Sequence, residues 1–191
     1  MAINKKQRIL DSAKTIFLKK GYSGSSISEI AKEAGAAKSL VFHHFPNKEA
    51  LWRAVKETLL SQVNESDFTP IRESTSVQAL IDTIVACRYH AYVDNPDLAT
   101  LLGWQQLESS PEPLLGIDKY QPDDWEEAIV DLQAKGLMTS EYSADIICSM
   151  IYGAVSNVFF DKKRKLYNNN QKLEAYKACV TTSLVKALSL K

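Results

Sequence analysis

The chain has 191 residues, is 45% hydrophobic and has no formal net charge. Seven Gly and six Pro exclude collagen-like and low-complexity classes, and the length allows one large core or two small ones. The balance hides a split, since residues 1–64 carry 11 Lys and Arg against 5 Asp and Glu while residues 65–191 carry 12 against 18; this fits either a polyanion partner for the first part alone or two solvated surfaces of different composition.

A first helix is predicted from about Asn4 to Lys20, with Ile9, Ala13, Ile16 and Phe17 on one buried face. Gly21 follows as its C′ residue, and Tyr22 is expected to pack back on the helix end. Ser26 and Glu29 have the spacing of a capping box for a helix over Ile27–Ala34. Gly35 to Ala37 form a short turn, and a third helix runs from Lys38 to Phe45. Pro46 stops it, and Asn47 caps a fourth helix reaching about Asn64, with Leu51, Trp52, Val55, Leu59 and Val63 as its apolar stripe. Asp67–Thr75 reads as a connection. Helices then follow over about Ser76–Asp94, Asn95–Leu107 and Asp123–Lys135, with Glu108–Pro122 as a loop or broken helix. Ser140 is expected to cap a long helix ending near Tyr167, and a last helix covers about Gln171–Leu188. No strand pair or repeat is evident, so the fold class is all-α with about nine helices.

The opening Met-Ala-Ile-Asn-Lys-Lys has no apolar core, so no signal peptide is expected. The longest uncharged run, Ile146–Phe160, is too short and polar for a bilayer, so no membrane partner is expected. Cys87, Cys148 and Cys179 lack paired spacing. They read as buried apolar fillers in a reducing, cytoplasmic compartment.

The segment Ile27–Phe45 carries the chemistry. Ala31 is small, Gly35 can take positive φ, and Val41 projects back, so two short helices can cross closely. Such a unit presents its second helix outward, where it can enter a major groove of double-stranded DNA. The start of the preceding helix, at Ser26 and Ile27, offers free N–H groups to a phosphate; Ser26 can be a cap as well. Lys38, Ser39 and His43 share the outward face and can reach base edges together. Ala37, with Ala36, lies in the turn, where a methyl can touch a thymine methyl or allow close approach. Lys48 opposes the dipole at the start of its helix, which fits a phosphate contact. Adjacent His43 and His44 diverge on a helix, so no metal is expected, and no cofactor is implied.

The ordered set Phe17, Gly21-Tyr22, Ser26-Ile27, Ile30-Ala31, Ala34-Gly35, Lys38-Ser39, Phe42-His43-His44-Phe45 and Lys48-Glu49-x-Leu51 resembles the TetR family of transcriptional regulators. The resemblance covers residues 5–55; beyond them it extends only to length and helical layout. Phe42 stands where the family usually has Tyr, so a phosphate-bonding hydroxyl is absent. His44 occupies an often aromatic position, where it either bonds a phosphate or packs. The resemblance implies a helix-turn-helix DNA-binding domain over residues 1–47, a connecting helix over 48–64, and a ligand-binding and dimerisation domain over 65–191. It implies a regulator, most often a repressor and not an enzyme, whose operator affinity a small molecule changes. An effector-independent architectural DNA-binding protein is the alternative.

For a homodimer, the last two helices offer Ile151, Ala154, Val155 and Val158 together with Tyr176, Val180 and Leu184, able to pair as a four-helix bundle or to pack within one chain. For a ligand pocket, Arg88, Tyr89, Tyr92, Trp104, Gln105, Cys148 and Tyr152 combine apolar bodies with polar handles. Arg88 and His90 could hold an anionic group. No catalytic constellation stands out.

Overall fold

The computed structural model describes residues 5–62, 74–108, 123–161, 164 and 166–190. Among them the elements are α1 (Lys5–Lys20), α2 (Ile27–Glu33), α3 (Lys38–His44), α4 (Lys48–Leu60), α5 (Val77–Asp94), α6 (Pro96–Leu107), α7 (Asp123–Ala134), α8 (Ala144–Phe160) and α9 (Asn170–Leu188), with a 3₁₀ turn at Leu166–Asn168. No strand occurs among the described residues, and the fold is all-α. The expected end of the fourth helix at Asn64, most of the 67–75 connection and the 109–122 loop lie outside the described residues.

Packing divides the chain into two units, residues 1–62 with 95–117 and residues 63–94 with 118–191. In the first, Ile9, Ala13, Ile16 and Phe17 of α1 and Leu51, Trp52, Val55 and Leu59 of α4 are buried, as their spacing indicates. Trp52 is at the centre, edge-on to Phe17 at 4.9 Å and to Tyr22 at 5.6 Å. Tyr22 thus packs on α4. Sequence alone did not reveal that α6 belongs to this unit, where it packs on α1 and α4. Asn95 secures its start: the side-chain oxygen accepts from Leu98 N at 3.1 Å, and Nδ2 donates to Leu59 O at 2.9 Å.

The second unit packs α5, α7, α8 and α9 around one apolar cluster that includes Leu80, Ile81, Ile84, Ile129, Leu132, Ile147, Ile151, Val155 and Leu184. Helix α8 starts three residues later than expected, with Ser143 rather than Ser140 as N-cap. The cause is non-local: Thr139 N donates to Leu188 O at 2.8 Å, and Gln133 Nε2 donates to Thr139 O and Tyr142 O. These bonds hold the intervening backbone out of helix. The helix also ends at Phe160 rather than near Tyr167, with Asp161 as C-cap. Cys87 and Cys148 are buried, whereas Cys179 is exposed on α9, so it is not the apolar filler expected.

Candidate nucleic-acid interface

The turn between α2 and α3 is fixed by backbone geometry. Gly35 has φ +57°, in the left-handed region, and Ala36 N donates to Ala31 O at 2.9 Å. Arg8 reaches from α1 to donate to Ala34 O at 2.8 Å, satisfying a carbonyl at the end of α2. At the start of α2, Ser26 Oγ accepts from Glu29 N at 3.2 Å. The Glu29 carboxylate pairs with Lys20 at 2.5 Å, so Ser26 provides one half of a capping box and Glu29 is drawn elsewhere.

Val41 is the one buried residue of α3. Lys38, Ser39, Phe42 and His43 are exposed, and Ala37 before them is exposed in extended backbone. These five form one continuous open strip. Phe42 is a large apolar side chain left 43% exposed there, with the Lys38 ammonium 5.8 Å from its ring centre. His44 is half-buried, its ring 5.1 Å from His43 and 6.4 Å from Phe45, so it packs along the edge of the strip. Ile27 is buried, 8% exposed, between exposed Ser26 and Ser28.

Lys48 has a role that its sequence position does not reveal. Its ammonium donates to Tyr22 O at 2.8 Å and Ser25 O at 3.1 Å, and sits 4.2 Å from the Tyr22 ring centre. Ser25 Oγ adds a 2.7 Å bond to Tyr22 O. Lys48 therefore ties the α1–α2 turn to α4, and burial pushes its pKa down. One of its three N–H groups remains for an outside acceptor. Across the same turn, Glu108 accepts from Ser23 N at 3.0 Å, and Trp104 Nε1 donates to Leu18 O at 2.9 Å. No group of three or more His, Cys, Asp or Glu able to hold a metal occurs among the described residues.

The seven pocket candidates separate. Trp104 and Gln105 lie in the first unit, where Gln105 Oε1 accepts from the Lys56 ammonium at 2.9 Å. Arg88, Tyr89, Tyr92, Cys148 and Tyr152 lie in the second. Arg88 Nη1 donates to Tyr92 Oη at 3.3 Å, and its guanidinium lies over Trp125 and Tyr152. Tyr89, buried, has a hydroxyl without a hydrogen-bond partner among the described residues, and burial raises its pKa. Burial likewise pushes the Cys148 thiol up to about 12, so it is a neutral filler rather than a thiolate.

Of the residues expected at a dimer interface, Ile151, Val155, Val158, Val180 and Leu184 are buried in the chain's own second core. Ala154 and Tyr176 are half-buried against it, Tyr176 Oη donating to Ala154 O at 2.7 Å. The open faces of α8 and α9 instead carry Ile146, Met150, Gly153 and Asn157, and Ala175, Ala178, Cys179 and Thr182.

Residues 9–55 match the family model of bacterial regulatory proteins, tetR family. The chain is 28% identical over 109 residues to the transposon Tn10 TetC protein of Escherichia coli, covering 53% of this chain and 55% of that protein. It is 26% identical over 109 residues to the biofilm operon icaADBC HTH-type negative transcriptional regulator IcaR of Staphylococcus epidermidis, covering 57% and 56%. The matches span about half the length of these curated relatives. The crystal structure of the transcriptional regulator FadR from Bacillus subtilis, in complex with stearoyl-CoA, shares the fold with a TM-score of 0.69 at 20% identity, covering 95% of this chain and 98% of that one.

Proposed function

We propose that this chain, a member of the TetR family by its N-terminal segment, is a dimeric DNA-binding transcriptional regulator, a repressor whose operator affinity a small molecule changes. The observation that carries this reading is the open strip on α3: a helix with one buried residue exposes Lys38, Ser39, Phe42 and His43 together, within the matching residues 9–55. On this reading Lys38, Ser39 and His43 contact base edges, Phe42 and Ala37 make apolar contacts with thymine methyls, and Ser26, the Ile27 backbone and His44 face phosphates. Lys48 acts mainly through the turn it holds, with one N–H left for a phosphate. The negative regulator among the relatives supports repression, and the stearoyl-CoA complex supports a small-molecule response. The family consists of regulators; no enzymatic activity is assigned, and the compartment is the cytoplasm.

Two copies are required because one short helix reads few base pairs. The proposed contact is the outer face of α8 and α9. Ile146 and Met150 remain 54% and 44% exposed there, and an added Cβ at Gly153 would meet nothing within 4 Å. Selection from a random duplex library tests the reading. The expected product is a two-half-site sequence bound with a steep salt dependence. Failure to enrich any sequence over the starting pool would overturn it.

A further inference from the structure

Arg88 is the only Lys or Arg in α5, α7 and α8. It is half-buried, and no carboxylate among the described residues pairs with it. Its guanidinium carbon lies 4.9 Å from the Trp125 ring centre and 5.2 Å from that of Tyr152. Rings stacked on a guanidinium cover its faces and leave the N–H edge for hydrogen bonding. One N–H goes to Tyr92 Oη. Because that oxygen accepts, the Tyr92 proton remains to be donated, and no acceptor for it occurs among the described residues. Tyr92 is 2% exposed, so this donor is fixed in a buried position. Two adjacent donors of this kind suit a planar two-oxygen anion.

The donor geometry narrows the ligand. The planar Arg88 fork beside one hydroxyl donor matches the two oxygens of a carboxylate, while Lys177 of α9 lies over the ring of the adjacent Tyr89 instead, 5.9 Å from its centre. Glu126 and Asp145, whose charges help to raise the pKa of Cys148 in the same apolar cluster, oppose a phosphate carrying nearly two negative charges more than a carboxylate carrying one. Val85, Trp125 and Cys148 are buried in the surrounding cluster, so the rest of the ligand meets apolar surface. We propose that Arg88 and Tyr92 form the anion-binding end of a ligand site in the second unit, and that its ligand is a monocarboxylate on an apolar body. Calling that ligand the effector rests on the regulator reading; its binding does not.

The test uses the full chain, calorimetric titration and thermal melting, with decanoate and phenylacetate as probes, each against its own amide, and decyl phosphate alongside. At least one carboxylate is expected to raise the melting temperature and bind about tenfold or more tightly than its amide, because the amide lacks the charge that strengthens the bonds. Arg88→Gln should remove that advantage while amide binding stays the same. Tyr92→Phe keeps the ring and should weaken carboxylate binding about three- to tenfold, as expected for one lost hydrogen bond; it carries the test if Arg88→Gln does not fold. The proposal is overturned if neither carboxylate shifts the wild-type melt, if amide and carboxylate bind equally, if a folded Arg88→Gln or the Tyr92→Phe variant keeps full affinity, or if decyl phosphate binds more tightly than the carboxylates. A DNA arm separates the two readings. A chain that binds its selected duplex without responding to a bound carboxylate loses the effector assignment and keeps the regulator reading. A chain that binds carboxylate but no duplex does the reverse.

Discussion

Both units have an apolar core, but they differ in how their turns and helix ends are held. In the first, side chains from distant positions bond backbone carbonyls at helix ends and turns: Arg8 to Ala34, Lys48 to Tyr22 and Ser25, Asn95 to Leu59, and Trp104 to Leu18. In the second, one continuous apolar cluster joins four helices, and Tyr176 to Ala154 is a long-range side-chain bond to backbone. On the proposed reading, a surface that matches a rigid duplex needs its turns fixed in place, and directional bonds to carbonyls do that. On the same reading, a unit that accepts a ligand is better served by non-directional packing, which can rearrange at smaller cost.

The largest expected loss falls on the apolar core that the first unit also has, from Trp52→Ala. This substitution removes the fully buried ring on which Phe17 and Tyr22 pack, and should cost about 3–5 kcal/mol in denaturant unfolding, whereas Ile151→Val in the second cluster should cost about 0.5–1.5 kcal/mol.

Lys56 supplies a pH test. It is 2% exposed, and burial pushes its pKa down to about 8 from 10.5. The folded chain therefore loses this proton at lower pH than the unfolded chain. Between these two values the unfolded state binds more protons, so this group makes folding more favourable as pH rises, by at most about 1.4 kcal/mol per pH unit. Unfolding midpoints at pH 8, 9 and 10 should rise for wild type relative to Lys56→Met, and parallel curves would remove the assignment.

A smaller effect separates two glycines with nearly the same backbone. Gly21 has φ +72° and Gly136 φ +66°. A Cβ at Gly21 would approach the Trp104 ring to 2.8 Å, whereas at Gly136 nothing lies within 4 Å. Gly136→Ala should cost only the left-handed penalty of about 1–2 kcal/mol, and Gly21→Ala measurably more. Equal melting-temperature losses would mean that α6 does not press on that turn.

The helix-turn-helix was legible because its signals are local. Ser26 and Asn47 cap the helices they precede, Gly35 turns the chain, and the buried faces of α1 and α4 follow helical spacing. What the sequence concealed depends on distant partners. The Lys48 ammonium is aimed by carbonyls 23 and 26 residues away. The start of α8 is set by Leu188 at the end of α9. The outer face of α8 was hidden for another reason: Ile146 and Met150 are as apolar as Ile147 and Ile151, so hydrophobic periodicity cannot tell which side faces the chain's own core.

The central claim is that the open strip of α3 reads DNA. Fluorescence anisotropy of wild type and a Lys38→Ala, His43→Ala double variant, against the selected duplex and a scrambled one, tests it directly. Both side chains are exposed, so the melting temperature should not change. The account predicts that preference for the selected duplex falls by about tenfold or more, as expected for lost base-edge contacts. Undiminished preference in the double variant would contradict it.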